Sequence, residues 1–423
     1  MRSKLLFATA LALAPVHDIA AKAASEPALF AAGLEADLQA MIAGGELPNA
    51  LVLIEQDGKP LVEIAAGYSD IERRTPITRD GIFRLYSMSK PIATVAVLQL
   101  ADAGKISLGA PVGTYLPELA NLRVWSGSQA EPPETVPADR PVTILDLLTH
   151  TSGITYEFMG DTPVQRAYRE IGVSRSTQVT TRRPQAEPAR TLDQLVERLG
   201  KAPLLHQPGA RFSYGFSTTV LGAVIERVSG QSLDSYLEAH LFNPLEMKDT
   251  AFVLSDAQAQ RLVTGYKATN GGLEPVDPPE TSEYRDPARL RDAGGALAGT
   301  LEDYRHFAEM LVNRGEWRGR RVLSKAMVDA MFSPRLRTGG GPELDAPFGL
   351  GLAIGDAGTE ARGGLPVGAG SWSGSANTYF FADPVHNVVA ILMTNELTPG
   401  RFEARTWKLR KAIDRAALNV AKG

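Results

Sequence analysis

The chain of 423 residues contains no cysteine. That excludes disulfides, thiolate metal ligands and a thiol nucleophile together. It does not assign a compartment, because a chain of this length buries enough surface to fold without covalent staples. An excess of one charge is also missing. Lys plus Arg number 44 and Asp plus Glu 48, for a net charge of −4, so no basic surface recommends a nucleic-acid partner. Past the N-terminus no apolar run approaches the roughly 20 residues that span a bilayer, so no stable membrane insertion is expected. There is no His-Glu-x-x-His and no His/Asp cluster at ligand spacing, hence no expected metal or other cofactor. Nor is there a Gly-x-Ser-x-Gly elbow, which an α/β-hydrolase with a Ser-His-Asp triad requires. The five residues from Gly370 to Gly374 place Trp372, not serine, at their centre.

Hydrophobic residues at 44% and charged residues at 22% are ordinary for a globular protein. The length calls for a large body with a second lobe. Arg2 and Lys4 precede an apolar run over 5–16, and Ala21-Lys22-Ala23 supplies a small-x-small pattern. This is the layout of a secretory signal peptide over residues 1–23, which implies a periplasmic or secreted protein. The alternative is a cytoplasmic chain with an alanine-rich tail. Nothing in the sequence bears on oligomeric state.

Apolar spacing predicts a helix over 27–44, with Phe30, Leu34, Leu38 and Met41 on one face and Gly44-Gly45 as its stop. Strands over 50–55 and 61–66 follow, and Asp57-Gly58 between them is a hairpin signal. Residues 87–103 are almost entirely apolar and read as a helix buried on every side, closed by Gly104. Further helices are expected over 143–148, 192–199, 218–228, 233–241 and 301–312. Strands are expected over 350–354, 378–382 and 387–393, and a last helix over 401–420. The stretches 122–140 and 171–191 have no period and read as irregular insertions. Strands at both ends joined by tight turns must pair antiparallel. The expected fold is therefore α/β (α+β): an antiparallel sheet with terminal helices from residues 24–110 plus 290–423, and a mainly helical lobe from 111–289.

Ser87-Met88-Ser89-Lys90 opens the buried helix as a Ser-x-x-Lys tetrapeptide. Positions i and i+3 share a helix face, so the lysine amine approaches the serine hydroxyl. A desolvated lysine has a lowered pKa and acts as a base at neutral pH, and the helix N-terminus faces a developing oxyanion. Two other places stand out: Tyr214, in a turn-rich loop before an amphipathic helix, and the small-residue run Gly370-Ser371-Trp372-Ser373-Gly374-Ser375. Taken singly, such features are more often a packed aromatic and a plain turn than chemistry.

Together they resemble the serine β-lactamase and penicillin-binding-protein superfamily, in the branch of class C β-lactamases and family VIII carboxylesterases. Leu147-Leu148-Thr149-His150-Thr151-Ser152-Gly153 matches that branch's signature, and Gln207-Pro208-Gly209 through Tyr214, then Val220-Leu221-Gly222, resembles its next segment. Gly294-Gly295, Asp303-Tyr304 and Gly349-Leu350-Gly351 are similar to later landmarks. The resemblance runs over about residues 30–395. It implies that Ser87 is the nucleophile, Lys90 its activator and Tyr214 a second base. The backbone N–H groups of Ser87 and Ser375 would form the oxyanion hole. Trp372, Ser373 and Gly374 would occupy the third motif, and these with Tyr156 and Phe216 would meet the substrate.

Two positions depart from the β-lactamase pattern. Phe216 stands where the second motif has Asn, and Trp372 where the third has a cationic Lys. Trp372-Ser373-Gly374 is nearer the esterases' Trp-Gly-Gly. The expectation is a serine hydrolase that takes short-chain or aromatic carboxylic esters as its small-molecule partners, through an acyl-enzyme. A β-lactamase, D,D-peptidase or acyltransferase of the same fold is the alternative, and an inactive binding protein a remoter one. His150 reads as a residue that organises its loop.

Overall fold

Seven strands drawn from both ends of the chain form one antiparallel sheet in the computed structural model, which describes residues 26–173, 186–269, 272–337, 346–397 and 405–422. The expected signal peptide over 1–23 and positions 174–185 of the irregular 171–191 stretch lie outside these residues. In chain order the strands are β1 (Asn49–Gln56), β2 (Lys59–Asp70), β3 (Thr75–Pro76), β4 (Ala353–Ile354), β5 (Gly370–Ser373), β6 (Tyr379–Asp383) and β7 (Val388–Met393). Their order across the sheet is β4-β5-β6-β7-β1-β2-β3, so the first strand sits beside the last. Leu51 lies opposite Met393 and Ile54 opposite Ala390.

The turn from β1 to β2 shows why the sequence folds this way. Asp57 and Gly58 have φ of 52° and 69°, the pair of left-handed residues that a two-residue hairpin with the sheet's own twist demands. Successive side chains of β1 then point to opposite faces. Ala50, Val52 and Ile54 join Leu34 and Leu38 of α1 (Glu26–Ala43) and Leu409 and Ile413 of the last helix. Leu51 and Leu53 join Ile92, Val95 and Phe307 on the other face. Both faces being covered, β1 is buried along nearly its whole length. Cutting any of these leucines to alanine costs about 2–5 kcal/mol through lost contacts and the void left behind.

The second face carries α2 (Ser89–Asp102), whose Ile92, Val95, Ala96, Val97 and Leu98 are all buried, the all-round burial its composition implied. The helices α3 (Ile144–Leu148), α4 (Pro163–Glu170), α5 (Leu192–Leu199), α6 (Ser217–Ser229) and α7 (Leu233–Leu237) fill the middle of the chain, and α8 (Leu301–Val312) returns to the sheet. The last helix, α9 (Arg405–Lys422), packs beside α1 on the first face, away from α2 and α8.

Three local expectations need correction. The strand over 350–354 shrinks to Ala353–Ile354. Leu350 and Leu352 are buried from a turn instead, in which Leu350 N–H donates to Met331 O at 3.1 Å and Gly349 N–H to Leu352 O at 2.8 Å. The stretch 122–140 contains a two-stranded ribbon, Arg123–Trp125 with Thr135–Pro137. A second ribbon, Gly265–Thr269 with Gly272–Asp277, lies where no strand was expected.

Candidate active site

Ser87 does not sit in α2 but in a 3-10 turn, Tyr86–Met88, that feeds it. The preceding residue Tyr86 has φ of 43°, a left-handed conformation that an aromatic residue holds only where its surroundings enforce it. Here they do. Phe83–Arg84 pairs with Ala298–Gly299, and Leu85 N–H donates to Leu297 O at 3.0 Å. The wholly buried Arg84 guanidinium grips the Asp277 carboxylate at 2.5 Å and Val263 O at 2.5 Å. From the other side Tyr304 OH donates to Met88 O at 3.0 Å. The turn is held from both flanks.

Ser87 Oγ receives two hydrogen bonds, from Lys90 Nζ at 3.0 Å and from Tyr214 OH at 2.8 Å. Lys90 is 1% exposed and Ser87 6%. The Lys90 ammonium also donates to Gly294 O at 2.6 Å and lies 4.6 Å from the centroid of the Tyr214 ring. A hydroxyl between an amine and a phenol, at the mouth of a helix, has what acyl transfer asks for: an oxygen nucleophile, groups to take its proton, and a positive helix end.

Tyr214 is placed by the segment 147–153. His150 O accepts from Ser213 N–H at 2.7 Å, Thr151 O from Gly209 N–H at 2.8 Å, and Gly153 O from Leu205 N–H at 2.7 Å. Gly153 has φ of 83°, and a Cβ there would lie 2.3 Å from His206 O. The His150 ring packs 4.9 Å from that of Tyr214. Burial first, and then the charge of Lys90, hold the His150 imidazole well below its usual pKa, so it stays neutral. His150 therefore supports Tyr214 by packing and through its own carbonyl.

The run 370–375 arrives beside Ser87 as β5 and the turn after it. A Cβ on Gly374 would lie 2.4 Å from Leu85 O, so only glycine allows this turn to approach the strand leading to Ser87. Trp372 and Ser373 are half-buried, and the Trp372 ring lies 5.7 Å from Tyr214 and 5.3 Å from Phe348. Ser375 follows Gly374 directly.

Tyr156 and Phe216 do not meet the expectation of substrate contact. Both are 0% exposed. They form a layer behind the site, with Tyr156 centred 5.5 Å from Tyr214 and 4.6 Å from Phe216. Their short loops turn these rings inward, a direction that no periodic pattern encodes. Three contributors escaped sequence reasoning. Gly294 acts through its carbonyl, for which a side chain gives no signal. Phe348 from a distant turn and Phe212 from Tyr214's own loop complete the aromatic wall around Tyr214 and Trp372. Among the described residues no group of three or more His, Asp or Glu side chains is placed to hold a metal ion.

This fold and site define the class. The Beta-lactamase family model matches residues 34–415, and the chain belongs to that family. Its relatives include Protein Rv1367c of Mycobacterium tuberculosis, 31% identical over 377 residues, covering 85% of this chain and 89% of the relative. Esterase EstB of Burkholderia gladioli is 30% identical over 409 residues, covering 92% and 96%. Among solved structures, EstCE1, a hydrolase with promiscuous acyltransferase activity, superposes with a TM-score of 0.76 at 26% identity, covering 92% of this chain and 98% of its own. These likenesses support a serine hydrolase of the β-lactamase fold, within the superfamily's esterase branch.

Proposed function

We propose that the protein is a carboxylesterase acting on short-chain or aromatic esters, with Ser87 as nucleophile. One observation carries the reading: the paired approach of Lys90 Nζ and Tyr214 OH to a single serine oxygen. The kinship with EstB and EstCE1 supports ester chemistry. In the first half-reaction Ser87 Oγ attacks the ester carbonyl carbon, and its proton passes into the Tyr214–Lys90 network. The tetrahedral oxyanion is held by the N–H groups of Ser87 and Ser375, an interaction that supplies several kcal/mol in acyl transfer. The C–O bond to the alcohol breaks as the proton returns through Tyr214. Water repeats the sequence on the acyl-enzyme and releases the acid.

Trp372 supports a preference for esters over β-lactams. It stands where the lactamases place a cation for the drug's carboxylate, and it offers an aromatic face instead. Seating a carboxylate there strips its water without a charged replacement, at a cost of a few kcal/mol. A neutral ester has no such cost. A panel of p-nitrophenyl esters run beside benzylpenicillin and a D-Ala-D-Ala peptide tests this. The expected kcat/KM for a short-chain ester exceeds that for benzylpenicillin at least ~100-fold, equivalent to about 2.7 kcal/mol. Comparable rates would end the ester assignment in favour of a lactamase.

A further inference from the structure

We infer that Asp292 is the counter-charge of Lys90 and sets the basicity of the network that activates Ser87, a positioning role that rests on the serine-hydrolase reading above. A buried ammonium is costly unless a negative charge compensates it. Ser87 Oγ, Gly294 O and the ring faces of Tyr214 and Tyr156, which lie close around Lys90, are neutral groups. The position that carries an amide in the resembled β-lactamases is Phe216, which offers no polar atom.

Asp292 stands one residue beyond that shell and is 3% exposed. Its Oδ1 accepts from Thr219 Oγ1 at 2.5 Å and from Gly294 N–H at 2.7 Å. Its own carbonyl accepts from Gly295 N–H at 3.0 Å and Ala296 N–H at 2.9 Å, closing a tight turn. That turn aims Gly294 O at Lys90 Nζ, 2.6 Å away. Gly294 thus gives its N–H to the carboxylate and its C=O to the ammonium, and the two charges sit on either side of a single residue.

Other titratable groups packed close to this pair include Tyr214, Tyr156, His150 and Tyr304 of α8. Arg169 donates to Glu157 O behind the Tyr156 loop. His150 is held neutral and adds no charge. A carboxylate charge at Asp292 favours the protonated form of the Lys90–Tyr214 network, from which a proton is lost on activation of Ser87. A fixed negative charge nearby raises the pH at which that loss occurs.

Asp292→Asn keeps the shape and the acceptor of the side chain and removes its charge. The measurement is the rate of fluorophosphonate labelling at Ser87 across pH 5–10 in the full chain, with a thermal melt for each variant. The acidic limb of the Asp292→Asn profile is expected to move down by at least ~0.5 pH unit, with a lower plateau. Thr219→Val, which removes one hydrogen bond but keeps the charge, is expected to leave that limb in place. If Asp292→Asn does not melt cooperatively, Asp292→Ser reads the same midpoint. A rate that falls equally at every pH, or a profile that does not change, overturns the inference. Labelling needs only an activated serine. A shifted midpoint in a protein that hydrolyses no ester therefore keeps Asp292's role and removes the ester assignment, whereas a wild-type chain that does not label removes both.

Discussion

The two faces of the sheet each carry a serine, a tyrosine, a cation and a carboxylate, and only one set looks like a machine. In front stand Ser87, Tyr214, Lys90 and Asp292. Behind, under α9, stand Ser371, Tyr379, Arg410 and Asp414. Tyr379 OH donates to Asp414 Oδ1 at 2.7 Å, Ser371 bonds the same phenol, and Arg410 lies 5.5 Å from the ring. The rear groups are strongly perturbed: burial pushes Asp414 up to about 7 and Arg410 down to about 10. Perturbation alone therefore does not mark a catalytic site. The rear serine lies mid-strand in β5, not at the start of a helix. The rear cation is an arginine, which does not give up its proton. The rear phenol spends its proton on a carboxylate rather than on the serine. The front set differs on all three counts.

The largest effect expected from this contrast is at the nucleophile. Ser87→Ala is expected to reduce ester turnover and fluorophosphonate labelling to background, while Ser371→Ala leaves both within about threefold. Removing one hydroxyl from either place is expected to move the melting temperature by only a few degrees. Loss of labelling in Ser371→Ala with retention in Ser87→Ala would invert the assignment of the two faces.

The matched tyrosines come next. Tyr214→Phe takes away the phenolic proton carrier and is expected to lower kcat by about two to four orders of magnitude with a smaller change in KM. Tyr379→Phe is expected to keep kcat and to lose about 1–3 kcal/mol of stability, because Asp414 then loses a donor inside the protein. Steady-state kinetics and urea melts on the pair separate these outcomes. A Tyr214→Phe enzyme with normal kcat would leave Lys90 as the sole base.

The front set was legible in the sequence because its key spacing is local. Ser87 and Lys90 lie three residues apart on one turn, and the apolar run behind them announces the helix. Asp57-Gly58 gave away the first hairpin for a similar reason, since only certain residues accept its left-handed angles. What stayed hidden depends on chain paths between elements. The inward turn of Tyr156 and Phe216, the carbonyl of Gly294 aimed at Lys90, and the alternation that sends Ser371 to the rear and Trp372 to the front all follow from strand register and loop direction. The apolar spacing over 350–354 resembles a strand although most of it is a turn, because two leucines reaching the core from a turn leave the same pattern.

The smallest expected effect tests whether the rear set is only structural. The Asp414 carboxyl, raised from 3.8 to about 7 by burial, holds its proton in the folded state at pH values where the unfolded chain has lost it. Its contribution to stability is therefore full below about pH 4 and is lost as pH rises through about 7. Between pH 6 and pH 8 this one group is expected to lower the unfolding free energy by about 1.4 kcal/mol. Glu55, also raised to about 7 by burial, with Glu309 adding to the rise and Arg305 opposing it, contributes a slope of the same sign. Asp414→Asn is thus expected to narrow the gap between urea midpoints at pH 6 and pH 8 without closing it. Its ester turnover is expected to follow the wild-type pH profile. An unchanged gap would mean that Asp414 is ionised throughout, paired with Arg410 as a buried salt bridge. A changed turnover profile would mean that the two faces of the sheet communicate.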